Sequence, residues 1–119
     1  MQLNHLDLSV PDVAQTAAFF QGAFGFVHIE SKGNHGMVVL EGDCRFLLVL
    51  SRARSPVYPK TFHIGFLLAS ESQVWDAYQR VTSISEDTVT PPRPVRGSLL
   101  FYCNAPGRIL VEVSHRPAS

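Results

Sequence analysis

Leu6, Leu8 and Val10 fall on one side of the alternation in residues 3–10, and His5, Asp7 and Ser9 on the other. A strand with one greasy face and one polar face reads this way. Pro11-Asp12 then opens a helix with Asp12 as its N-cap. Val13, Ala17, Phe20 and Phe24 recur at helical spacing as the buried stripe, and Gly25 suits a left-handed C-terminal cap. Strands are expected over 26–30, 37–41 and 44–50, with turns at 32–34 and 42–43. Residues 51–60 hold Pro56 and Pro59 among Arg52, Arg54 and Lys60, and have no apolar period.

The pattern then restarts. A strand is expected over 61–69, and Ser70 with Gln73 is a capping-box signature. The helix it opens runs to about Thr82, buried through Val74, Tyr78 and Val81. Residues 83–94 are polar and proline-rich, with at most a short edge strand near 88–90. Strands over 98–103 and 108–115 flank a turn at 104–107. Both halves read β-α-β-β-β, an internal repeat. His5 and His63 open equivalent strands, and Arg45–Arg52 overlies Arg108–His115 so that Val49 stands where the second half has Glu112. The fold class expected is α+β with two paired βαβββ modules. One domain over 1–119 would hold module 1 at about 1–52, a linker at about 53–60 and module 2 at about 61–119.

Chemistry changes the picture at three positions. Glu112 lies between Val111 and Val113, and His5 and His63 lie in apolar alternations. A carboxylate in such a setting needs a partner. Two imidazoles and one carboxylate form a ligand set for a divalent first-row metal with open positions, with iron, manganese, nickel and zinc all suited. A single strand histidine is more often structural. Three such residues at equivalent positions of a repeat shift the balance to a metal site that polarises a substrate oxygen. Tyr102 is a candidate proton or hydrogen-bond donor, its bland reading a core aromatic. Asp7 is a candidate general base, or an orienting partner for an imidazole. Arg93 and Arg96 are candidates to grip an anion, or solvated loop charges. His28, His35 and His115 read as surface residues, and Cys44 and Cys103 as packed, inert thiols within strands.

Ten basic and ten acidic residues give no net charge and no run of one sign, which argues against nucleic acid or an anionic membrane as partner. No stretch has the roughly 18 apolar residues of a membrane span. The N-terminus lacks a basic region followed by an apolar run, so a cytoplasmic location is expected.

The run His5-x-x-Leu8-x-Val10-x-Asp12, with Phe19-Phe20 and Phe24-Gly25-Phe26, resembles the opening module of the vicinal oxygen chelate superfamily. That superfamily includes glyoxalases, bleomycin-resistance proteins, extradiol dioxygenases and fosfomycin-modifying enzymes. The closing run Phe101-Tyr102-x-x-x-Pro106-Gly107-x-x-x-x-Glu112 is similar to its last hairpin. The resemblance implies an open, curved mixed β-sheet barrel around a metal. It also implies a homodimer in which His5 of one chain meets His63 and Glu112 of the other. The function implied is a divalent-metal-dependent enzyme acting on a small oxygenated metabolite. The alternative is a non-catalytic binding protein of the bleomycin-resistance type.

The subfamilies each differ from this chain somewhere. Glyoxalase I enzymes carry a carboxylate where Val49 stands and usually an arginine where Ser9 stands. Extradiol dioxygenases share the His-His-Glu set and a tyrosine matching Tyr102, but add a histidine that residues 44–50 lack. Fosfomycin thiol transferases have a threonine in place of Asp7 and a different loop in place of 91–97.

Overall fold

The computed structural model describes all residues except His35, Glu86, Thr88 and Ser119. The chain divides into two compact units, Met1–Val57 and Tyr58–Ser119. Each is a four-stranded mixed sheet with a helix.

In the first unit, strand β1 (His5–Val10) leads into helix α1 (Val13–Phe24), then β2 (Val27–Lys32), β3 (Met37–Glu41) and β4 (Leu47–Arg52). The sheet order is β1-β4-β3-β2, with β1 parallel to β4 and the other pairs antiparallel. Asp12 caps α1 by accepting from the Gln15 backbone N–H at 2.9 Å, and Gly25 closes it at φ 71°. Leu8, Val10, Leu48 and Leu50 form the helix-facing side of the sheet, all essentially without exposure. They meet Phe20, whose ring is set edge-on to Phe19 and Phe26. Burying a ring of this size stabilises the unit by about 1.5–3 kcal/mol.

The second unit repeats the plan with β5 (His63–Leu67), α2 (Glu71–Ile84), β6 (Arg93–Val95), β7 (Ser98–Ala105) and β8 (Ile109–His115). Its order is β5-β8-β7-β6, again with one parallel pair, β5 with β8. Ser70 caps α2 by accepting from the Gln73 N–H, while the Gln73 side chain accepts from the Ala69 N–H. Phe101, Cys103, Ile109, Val111 and Val113 lie under the helix with Val74, Ala77 and Val81. The α+β class and the doubled β-α-β-β-β order are as the sequence led us to expect.

Several local expectations differ. Residues 43–45 form a 3₁₀ turn rather than the start of a strand, so Cys44 is exposed instead of packed. Cys44 and Arg45 both take positive φ there, which a strand does not allow. Cys103 is buried, and burial alone pushes its thiol up to about 12. The edge strand of the second sheet is Arg93–Val95. Of the 88–90 segment proposed for it, Thr88 lies outside the described residues, as does His35. Phe24 and Tyr78 are half-buried at the margins of their stripes. His115 is half-buried and bonded to the Leu68 carbonyl at 2.9 Å rather than free at the surface.

Candidate functional site

The helix covers one face of each sheet, and alternation puts the other residues of each strand on the opposite face. In the second unit that opposite face carries His63, Gly65 and Leu67 from β5, Leu110, Glu112 and Ser114 from β8, and Leu100 and Tyr102 from β7. The register sets Gly65, Glu112 and Tyr102 side by side, with His63 beside Leu110 one row away. His63, Glu112 and Tyr102, all singled out by sequence, therefore share one sheet face.

Their bonding is specific. The Tyr102 hydroxyl donates to Glu112 Oε1 at 2.8 Å. The other carboxylate oxygen looks toward β5, where a Cβ on residue 65 would lie 3.6 Å from Oε2. Glycine at that position leaves the space beside Oε2 open. The His63 ring stands edge-on to Tyr102 with centroids 6.2 Å apart. His63 Nδ1 lies 2.9 Å from the Thr61 carbonyl oxygen. A carbonyl only accepts, so Nδ1 is the donor, and in the neutral ring Nε2 is the nitrogen with the lone pair. Orienting bonds of this kind are typical of metal-ligating histidines.

The bond to Glu112 is the main reason the Tyr102 phenol is raised above its ordinary pKa. Desolvation and the negative charge of Glu112 add to it, and Arg93 opposes it. At neutral pH the group is therefore a hydrogen-bond donor and not a phenolate.

The first unit places His5 and Asp7 on the equivalent face of its own sheet. His5 pairs in register with Leu47, and Asp7 with Val49. Both side chains are exposed. His5 Nδ1 bonds the Asn4 side-chain oxygen at 2.8 Å, which again leaves Nε2 free. Asp7 accepts from the Ser51 hydroxyl at 2.8 Å. The orienting bond of His5 thus comes from Asn4, while Asp7 is engaged across the strand pair. Asn4 and Thr61 were not singled out from the sequence. For Asn4 the available signal was a polar side chain one position before the histidine, whereas Thr61 acts through its backbone carbonyl, which no residue type signals.

Arg93 stands on the edge strand β6, paired with Leu100 and so on the Tyr102 face, and not on an irregular loop. Arg96 lies in the turn between β6 and β7. Among the described residues no group of three or more His, Cys, Asp or Glu is gathered that could hold a metal ion. The donors His63 Nε2 and Glu112 Oε2 are nonetheless of the type a divalent first-row metal takes, and each is oriented by a bond through its other polar atom.

The family description "Glyoxalase/Bleomycin resistance protein/Dioxygenase superfamily" matches residues 2–113. A solved structure described as a possible glyoxalase from Bacillus cereus is 35% identical, with a TM-score of 0.85 over 95% of this chain and 97% of that one. A lactoylglutathione lyase from Agrobacterium tumefaciens is 19% identical, with a TM-score of 0.76 over 96% of this chain and 92% of that one. The fosfomycin resistance protein FosX from Listeria monocytogenes was solved as an E126Q mutant with Mn(II) and 1S,2S-dihydroxypropylphosphonic acid. It is 24% identical, with a TM-score of 0.76 over 94% of this chain and 90% of that one. No curated protein matches the chain. The family match over almost its whole length, joined by a structural relative at more than a third identity, means that the chain belongs to the Glyoxalase/Bleomycin resistance protein/Dioxygenase superfamily.

Proposed function

We propose that this protein is a metal-dependent enzyme acting on a small oxygenated metabolite, and that it works as a homodimer. His63 and Glu112 of one chain and His5 of a second copy hold one divalent metal. The observation that carries this reading is the bonded set on the open face of the second sheet. There, His63 and Glu112 each have one polar atom tied down and one free. His5 in the first unit has the same arrangement, with Asn4 in the role of Thr61. The manganese held by the Listeria relative supports metal use in this fold.

When bound, the metal supplies Lewis-acid polarisation of a substrate oxygen. The protein's own residues do the rest. His5 and His63 present Nε2, because Asn4 and Thr61 hold their Nδ1 protons. Tyr102 holds Glu112 in place through Oε1 and is itself kept protonated, so it donates to a substrate oxygen when that bond is exchanged. Leu67 and Leu110 on the same face give apolar walls that exclude water from the reacting end. Asp7, bonded to Ser51, is the proposed base for a substrate proton.

Elemental analysis of the purified protein tests this, with His63→Ala and Glu112→Gln beside it and the oligomeric state read by light scattering. The expected result is about one metal per chain in the parent dimer and none in either variant. A protein that takes up no metal after reconstitution with iron, manganese, nickel and zinc overturns the reading. Such a protein would be a metal-free binding protein of the bleomycin-resistance kind.

A further inference from the structure

His63 is aimed by the segment of chain that leads into it. Its Nδ1 donates to the Thr61 carbonyl at 2.9 Å. A backbone carbonyl two residues away can hold a ring only if its own peptide plane is held. The Thr61 carbonyl and the Phe62 N–H belong to one planar, trans peptide unit, so they point in opposite directions. The Phe62 N–H donates to the Pro59 carbonyl at 3.0 Å, closing a turn through Lys60 and Thr61. One end of the plane is therefore tied to Pro59 and the other to His63. Rotating the carbonyl away from the imidazole also breaks the turn.

The turn is braced from both flanks. Pro59 has a fixed φ, and Tyr58 before it is confined to extended backbone. The Tyr58 and Phe62 rings, one before the turn and one at its end, stack with centroids 4.9 Å apart and planes at 26°. Both are half-buried, although Pro59, Lys60 and Thr61 between them are exposed. The stack therefore lies outside the helix-covered core, and what it holds together is the two ends of the turn. His5 is held differently, by the side-chain oxygen of the adjacent Asn4. We propose that Tyr58 is a positioning residue for His63. Its stack on Phe62 closes the Pro59–Phe62 turn, which aims the Thr61 carbonyl and keeps the neutral imidazole in its Nδ1–H form. A ring without such a bond can carry its proton on either nitrogen. Only the use made of Nε2 rests on the proposed metal site, since the positioning itself needs no metal.

The test reads the tautomer from the ring-nitrogen NMR shifts of the metal-free protein at about pH 8.5, where imidazoles are neutral. The His63 signals are those that vanish in His63→Ala. Tyr58→Ala, Tyr58→Leu, Tyr58→Phe and Thr61→Ala are compared with the parent, with folding checked by circular dichroism. Tyr58→Leu keeps an apolar side chain and serves where Tyr58→Ala fails to fold. The His63 proton is expected on Nδ1 in the parent, in Tyr58→Phe, which keeps the ring, and in Thr61→Ala, which keeps the carbonyl. Tyr58→Ala and Tyr58→Leu are expected to move it toward Nε2 and to weaken zinc binding about tenfold in a chelator competition. The His5 ring, held by Asn4, is expected to stay as it is in all of them. A parent with the His63 proton on Nε2 overturns the proposal, as does an unchanged tautomer in a folded Tyr58→Ala or Tyr58→Leu. It is also overturned by a shift at His5 as large as that at His63, by an equal shift in Thr61→Ala, or by zinc binding that stays the same when the tautomer moves. A tautomer that answers to Tyr58 in a protein that binds no zinc keeps the positioning role and overturns only the metal reading.

Discussion

The two units share one backbone plan and one strand register, yet their open faces differ in chemistry. His5 pairs with Leu47 as His63 pairs with Leu110, and Asp7 with Val49 as Gly65 with Glu112. One strand further, Val39 faces Val49 as Tyr102 faces Glu112. The histidine and the leucine opposite it are common to the two units, and the neighbouring row differs throughout. The first unit has Asp7, Val49 and Val39 where the second has Gly65, Glu112 and Tyr102. The backbone thus fixes where a carboxylate can stand, and the neighbouring side chains decide whether it is tolerated there. Glu112 has a phenol to satisfy one oxygen and a glycine beside the other.

The largest expected effect tests whether the units are equivalent beneath their helices. Phe20 and Phe101 are both essentially without exposure, each with an aromatic neighbour edge-on. Phe20→Ala and Phe101→Ala should each cost about 3–5 kcal/mol, read as a shift in urea unfolding. A cost below about 1 kcal/mol in either would show that its unit is not organised around that ring.

The next tests the open faces. Val49→Glu puts a carboxylate between Val39 on one neighbouring strand and Asp7 on the other, with no phenol to donate to it. A half-buried acid without its donor should cost about 1–3 kcal/mol. Adding Val39→Tyr should recover part of that loss, and a double-mutant cycle gives the coupling. A coupling of zero or of unfavourable sign would show that register alone does not reproduce the Tyr102–Glu112 environment.

The repeat, its helices and caps, and the equivalence of Val49 with Glu112 were all legible, because periodicity and capping are local properties. The turn at 43–45 was not. Cys44 and Phe46 look like strand residues, and the positive φ at Cys44 and Arg45 depends on how Gly42 and Phe46 bond across the turn. At the site, the sequence singled out His63, Tyr102 and Glu112, and the strand register then brings them onto one face. What the sequence could not show were contacts with no sequence period. These are the Thr61 carbonyl on His63, the bond of Asn4 to His5, and the 44-residue reach from Ser51 to Asp7.

Tyr102→Phe sharpens the contrast through pH. The folded state holds Tyr102 protonated, so its pKa is raised above the unfolded value of 10.0. The stability it contributes is complete below pH 10 and is lost as pH climbs through the folded pKa. Cys103 has the same sign, from 9.0 to about 12, so its contribution drains across pH 9–12. In a Cys103→Ala background, Tyr102→Phe should cost about 1 kcal/mol at pH 7. It should also flatten the remaining alkaline fall in unfolding midpoint. An alkaline limb unchanged by Tyr102→Phe would mean that the phenol is not held by Glu112 in solution.

The smallest effect concerns the glycine beside Glu112. Gly65 is outside the positive-φ region, and a Cβ there would sit at ordinary contact distance, 3.6 Å from Glu112 Oε2. Gly65→Ala should therefore stabilise the protein by about 0.5 kcal/mol, mainly by restricting the unfolded chain. Asp7→Ala, at the equivalent position of the first unit, removes an exposed bond to Ser51 and should cost about 0.5 kcal/mol. Opposite signs at matching positions would show that the second sheet merely leaves a gap where the first makes a bond. A loss above about 1 kcal/mol for Gly65→Ala would mean instead that Glu112 needs the empty space, making Gly65 part of the site.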